Sequence, residues 1–121
     1  MAYFSIAHVL RRQDGMYAVR SAEHPACDGC GVSVWPAREQ FRLALSEQVG
    51  QMIRQGEVPS LYLSLEEAQS SLSEHCKIQI PAADRLPGTY DYAMIVEVDL
   101  AADAAERFAT LRIGKLLPET R

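Results

Sequence analysis

Cysteine, aromatic residues and positive charge are all scarce in this chain. The cysteines are Cys27, Cys30 and Cys76, tryptophan occurs once, and aromatic residues make up only 7% of the sequence. An odd number of thiols, behind an N-terminus with no basic leader and apolar run, argues against a disulfide framework and for a reducing, cytoplasmic setting. No stretch approaches the roughly 18 consecutive apolar residues of a membrane helix. Twelve Lys and Arg stand against sixteen Asp and Glu, a formal net charge of −4. The chain as a whole therefore offers no attraction to nucleic acid or to an anionic membrane. There is no Gly-rich phosphate loop, no Ser nucleophile elbow and no internal repeat.

What remains is a globular composition, 48% apolar and 23% charged over 121 residues, enough for one core and too little for two domains. Tyr3, Phe4, Ile6, Val9 and Leu10 mark a first strand over residues 3–11. Asp14-Gly15 follows as a hairpin signal of type I′, and residues 16–22 return as a second strand. His24-Pro25 ends that strand. Cys27-Asp28-Gly29-Cys30-Gly31 reads as a loop, and the alternation of Val32-Ser33-Val34-Trp35 suggests a third strand. From Ala37 to Gln55 the period becomes helical, with Phe41, Leu45, Val49 and Met52 or Ile53 on one face; Gly56 and Pro59 close it. Ser64 and Glu67 have the spacing of a capping box for a second helix over 65–75. Residues 92–99 alternate as the last strand, a helical turn is expected at 101–106, and Thr110 to Leu117 reads as an extended arm. The fold class is α+β, a three-stranded antiparallel meander plus a further strand, with a helix covering one face in the order β-β-β-α-α-β.

Few residues carry chemistry. Cys27 and Cys30, spaced as Cys-x-x-Cys-Gly, are either thiols of a Gly-rich turn or half of a zinc knuckle. His24, His75 and Cys76 are the remaining ligand types, and the adjacent His75 and Cys76 cannot readily face one ion. The set is incomplete, so no stoichiometric zinc is expected. A redox dithiol is disfavoured by Asp28 between the thiols, which opposes the thiolate. A two-metal nuclease needs several gathered carboxylates; Asp14, Glu39 and Asp99 fall in a turn, on a helix face and at a strand end, and read as solvated charges. His8 alternates with strand residues and fits either face. No catalytic, cofactor-binding or metal residue is assigned, and no cofactor is expected.

Several short motifs resemble those of the HicB-like antitoxin family. Asp14-Gly15-Met16-Tyr17-Ala18-Val19 is similar to its "DG-x-Y-x-V" hairpin, and Glu23-His24-Pro25-Ala26-Cys27 to its acidic-x-Pro-Gly-Cys turn. Gly31 stands just before the expected third strand, and Ile95-Val96-Glu97-Val98-Asp99-Leu100 is similar to a late "V-x-V-D" strand. Ala26 replaces a usual Gly, and Trp35-Pro36-Ala37-Arg38-Glu39 stands where the family has "G-D-T-x-E-E-A". The resemblance implies a reduced ribonuclease-H-like fold over residues 1–100, with 101–121 as a C-terminal extension or arm. Phe108 to Pro118 loosely resembles the family's junction to a ribbon-helix-helix domain. The chain stops at Arg121, before two such helices, so DNA binding is not expected of these residues.

The resemblance implies a protein that is not an enzyme and that neutralises a small basic RNA-cleaving toxin of HicA type in a toxin–antitoxin pair. The acidic balance suits a basic partner. The alternative from the residues alone is a small zinc module using Cys27 and Cys30. An arm with Leu111, Ile113, Leu116 and Leu117 to bury, or an open sheet edge, would pair with a second copy, so a homodimer is expected.

Overall fold

The computed structural model describes residues 2–116. Strands β1 (Ala2–Arg11), β2 (Tyr17–Arg20) and β3 (Asp28–Gly31) come first, then helices α1 (Val34–Arg54) and α2 (Leu65–His75), strand β4 (Tyr92–Asp99) and helix α3 (Ala102–Leu116). The four strands form one antiparallel sheet in the order β3-β2-β1-β4, so the first three make a meander and β4 lies on the far side of β1. The α+β architecture is the expected one, with α1 covering one face. Helix α3 packs beside α1, and α2 lies against β1 and β4.

The two faces follow from strand alternation. Odd residues of β1, Tyr3, Ala7 and Val9, join Val19, Val96 and Val98 under α1. Helix α1 meets them with a row at four-residue steps, Ala37, Phe41, Leu45, Val49 and Ile53. Ile53, not Met52, ends the buried row, because a strict four-residue step carries the stripe to position 53. Phe41 is fully buried. Gly56 takes positive φ past the helix end, and its N–H and that of Glu57 return to the Ile53 and Met52 carbonyls at 3.1 and 2.8 Å. That is a Schellman motif, which only a residue tolerant of the left-handed region closes without strain. The predicted cap of α2 forms as well: Ser64 Oγ accepts from the Glu67 N–H at 3.1 Å, and Glu67 in turn accepts from the Leu63 N–H.

Three local expectations are corrected. The third strand is Asp28–Gly31, and Val34 and Trp35 already belong to α1, with Ser33 as its N-cap. Glycine at 29 and 31 serves backbone contact rather than turning: a Cβ on Gly29 would collide with the Ala37 carbonyl oxygen and the Phe41 backbone nitrogen of α1. The β1–β2 hairpin is present, but no non-glycine residue has positive φ among those described, so Asp14 does not form half of a type I′ turn. Instead Gly15 N–H bonds to the Arg12 carbonyl at 2.9 Å, Gly15 alone is left-handed, and Arg12 N–H reaches Met16 at 2.8 Å. This is the three-residue loop with a glycine bulge. Finally, residues 110–116 are helical and not an extended arm. Ala105 and Phe108 anchor α3 in the core, with Phe108 edge-on to Tyr3 at 5.0 Å between centroids. Arg107 Nε adds a bond to the Ile53 carbonyl at 2.9 Å. Leu117 and Pro118 lie outside the described residues.

Phe41→Ala should lower the urea-derived stability by about 3–5 kcal/mol, as expected for emptying a buried aromatic site. Gly29→Ala should cost about 3 kcal/mol, the upper end for over-packing, since the obstructing atoms are helix backbone. A stability near that of the natural chain for either variant would contradict this packing.

Candidate interaction site

The two thiols of the Cys-x-x-Cys segment part company. Three residues of extended chain turn them to opposite faces of the sheet. Cys27 is buried in the α1 core with Sγ 3.8 Å from the Ala44 carbonyl oxygen, where burial pushes its pKa up. Cys30 faces the other way, and Arg12 Nη1 lies 2.9 Å from its Sγ. Among the described residues, no three His, Cys, Asp or Glu side chains are grouped to hold a metal ion.

The carboxylates are likewise divided. Asp14 caps its own hairpin, accepting from Met16 N–H at 2.9 Å and pairing with Arg12 at 3.0 Å. Glu39 and Asp99 are brought together by Arg42, 3.1 Å from Glu39 and 3.9 Å from Asp99. The Arg42 hydrogen bond, with Arg38 beside it, holds Glu39 below the usual carboxylate range. A half-buried arginine between two carboxylates is a surface ion network.

A polar cluster that the sequence did not single out lies on the other face. His8 is 1% exposed and its Nε2 is 3.4 Å from His75 Nδ1 at the end of α2. His75 Nε2 is 3.4 Å from Glu23 Oε1, and the Tyr62 hydroxyl, 3.5 Å from that ring, donates to Glu23 at 3.4 Å. Tyr62 is held there by paired backbone bonds with Phe4, at 2.9 and 2.7 Å. Four separate segments converge, so no local spacing announces the cluster; alternation in β1 alone could have placed His8. Among the described residues its Nδ1 is buried without a partner. Burial first, then the neighbouring His75 and Arg85, push the His8 pKa below its ordinary 6.5.

Beside this cluster the segment between α2 and β4 is tied down by arginines. Arg20 grips Asp84 with both terminal nitrogens, at 2.9 and 2.7 Å, and holds that carboxyl at a pKa of about 2. Arg85 clamps Asp91 and the Ile80 carbonyl. The surface near it carries Ile78, Tyr90 and Tyr92, and Tyr90 is 87% exposed. Trp35, 65% exposed, stands at the start of α1 with the Arg38 guanidinium 5.2 Å from its ring centre. Among the described residues, no helix is long and apolar enough to cross a membrane.

The folded chain resists protonating His8, whereas the unfolded chain does not. Stability should therefore be level above about pH 6.5 and decline as pH falls below it, since the unfolded state then binds the extra proton. His8→Leu should flatten that decline in urea titrations between mildly acidic and neutral pH. An unchanged decline would assign the proton uptake elsewhere.

No family model matches the chain, and no curated protein matches it. Among solved structures it is similar to the crystal structure of the N-terminal domain of the Burkholderia pseudomallei antitoxin HicB. The likeness covers 83% of this chain and 100% of that one, at 23% sequence identity and a TM-score of 0.48. No residue role is carried from that protein to this chain.

Proposed function

We infer that this chain is an antitoxin-like binding protein that acts in the cytoplasm, without catalysis, by covering a small basic RNA-cleaving toxin of HicA type. The observation that carries the reading is where the resembling motifs fall in the fold. Asp14-Gly15 joins β1 to β2, the Glu23-to-Cys27 turn feeds β3, and Ile95 to Asp99 lies in β4, alongside β1. The hairpin and the late strand thus lie where the HicB-like resemblance expects them, whereas Gly31, expected just before the third strand, is its last residue. Two further features are suited to the role. The net charge of −4 favours a basic partner, and opposite charge raises association rates. Trp35 and Tyr90 supply exposed aromatic anchors, the residue types that dominate protein interfaces.

The zinc reading has little to stand on, because Cys27 and Cys30 face opposite sides of the sheet.

The test is to mix the purified chain with a HicA-type toxin encoded beside it and follow RNA cleavage. Cleavage should stop at stoichiometric amounts, with an association rate that drops as salt rises. Cleavage that continues in a large excess of this chain would refute the reading.

A further inference from the structure

Helix α2 is held on the sheet by little apolar contact. Ala68 is its one buried residue, against the five of α1. Its start is fixed by the Ser64–Glu67 cap and by the backbone pair between Tyr62 and Phe4. Beyond its end, the chain is next tied to the β1–β2 hairpin at Ala83 and Asp84. Between these anchors the last turn of α2 meets the sheet through His75, set against His8 with 5.6 Å between ring centres.

The hydrogen-bond chain at that contact has one direction. The Glu23 carboxylate only accepts, so His75 presents Nε2–H to it, as Tyr62 presents its hydroxyl. A neutral His75 then has a bare Nδ1, which accepts from His8 Nε2–H. His8 is left with a bare Nδ1, buried and without a partner among the described residues. One further proton has no good place. On His8 Nδ1 it makes a buried donor with no acceptor, which is costly. On His75 Nδ1 it meets the His8 N–H head-on, and relief through the other His8 tautomer again puts a donor on the orphaned Nδ1. The charges around the pair offer no help. Across the sheet, β2 sets Arg20 opposite His8, paired to Asp84, and β4 sets Ala93 there. The segment after α2 brings Arg85, paired to Asp91, while Glu74 and Lys77 pair with each other in solvent. Glu23 lies on the far side of the His75 ring. Burial first, then His75 and Arg85, hold the His8 pKa below its ordinary value.

We propose that the His8–His75 contact is a proton-sensitive latch: with both rings neutral it holds the last turn of α2 on the sheet, and uptake of a proton releases that turn between its anchors. Water then reaches the imidazoles and supplies the acceptor that the closed cluster lacks. The inference stands apart from the toxin reading.

Hydrogen exchange on the full natural chain reads the latch. At about pH 7.5 the amides from Leu72 to His75 should exchange through an opening that low urea does not promote. That opening is distinct from the global unfolding that exposes Phe41 to Ile53. From about pH 7.5 to about pH 5.5 its equilibrium, corrected for intrinsic exchange rates, should rise about tenfold. That is the factor for one proton taken up at an ordinary imidazole pKa of about 6.5. A His8→Leu chain should lose the rise. Exchange of these amides through global unfolding alone, a local opening level across this range, or a rise that persists in His8→Leu would overturn the proposal. Imidazole nitrogen shifts of the natural chain test the wiring with no substitution. His8 should carry its hydrogen on Nε2 at neutral pH, and finding it on Nδ1 would refute the latch.

Discussion

Helix α1 rests on strand β3 with almost nothing between the two backbones, and much of the molecule depends on that contact. Gly29 lies beneath the Ala37 carbonyl and the Phe41 N–H, and Gly31 beneath Pro36. Contact this close fixes the height of the helix over the sheet. That height lets the four-step row from Ala37 to Ile53 reach the odd face of β1 and the Val96 and Val98 side of β4. It also brings Gln40 down to the β3 edge and leaves Trp35 at the rim. A side chain on Gly29 would lift α1 along its first two turns and disturb each of these together, since interiors this dense transmit strain.

The two faces of the sheet are built on different principles. Under α1 and α3 the contacts are apolar, and Phe108 against Tyr3 closes the far end. Under α2 they are mixed, with Ile6 and Leu10 buried beside His8. There the covering layer is held by hydrogen bonds and ion pairs among Glu23, Tyr62, His75, Asp84, Arg85 and Asp91. Apolar packing is indifferent to pH, while a buried imidazole with one nitrogen unpartnered is not.

Periodic features were legible in the sequence. The helix from Phe41 to Ile53, the capping pair Ser64 and Glu67, the strand at 92–99 and the α+β class all rest on spacing within one segment. The misreadings came where long-range packing outweighs local signal. Asp28-Gly29-Cys30-Gly31 looks like a turn because glycine usually marks one, yet these glycines are strand residues that make room for a helix. Thr110 to Leu116 contains Gly114 and the β-branched Thr110 and Ile113, weak helix formers, but Phe108 docked on Tyr3 carries the helix onward. The polar cluster was out of reach, because His8, Glu23, Tyr62 and His75 come from four segments that only the folded sheet assembles.

The arginine clips at Asp84 and Asp91 border the histidine pair, and their acid responses differ. Asp84 keeps its charge down to a pKa of about 2, far below the range in which His8 begins to draw a proton in the unfolded chain. Mild acid therefore strains the middle of the α2 layer while its border stays tied to Arg20. The proton cost of mild acid therefore falls at His8 under α2, while the Arg20–Asp84 pair beside it keeps its charge.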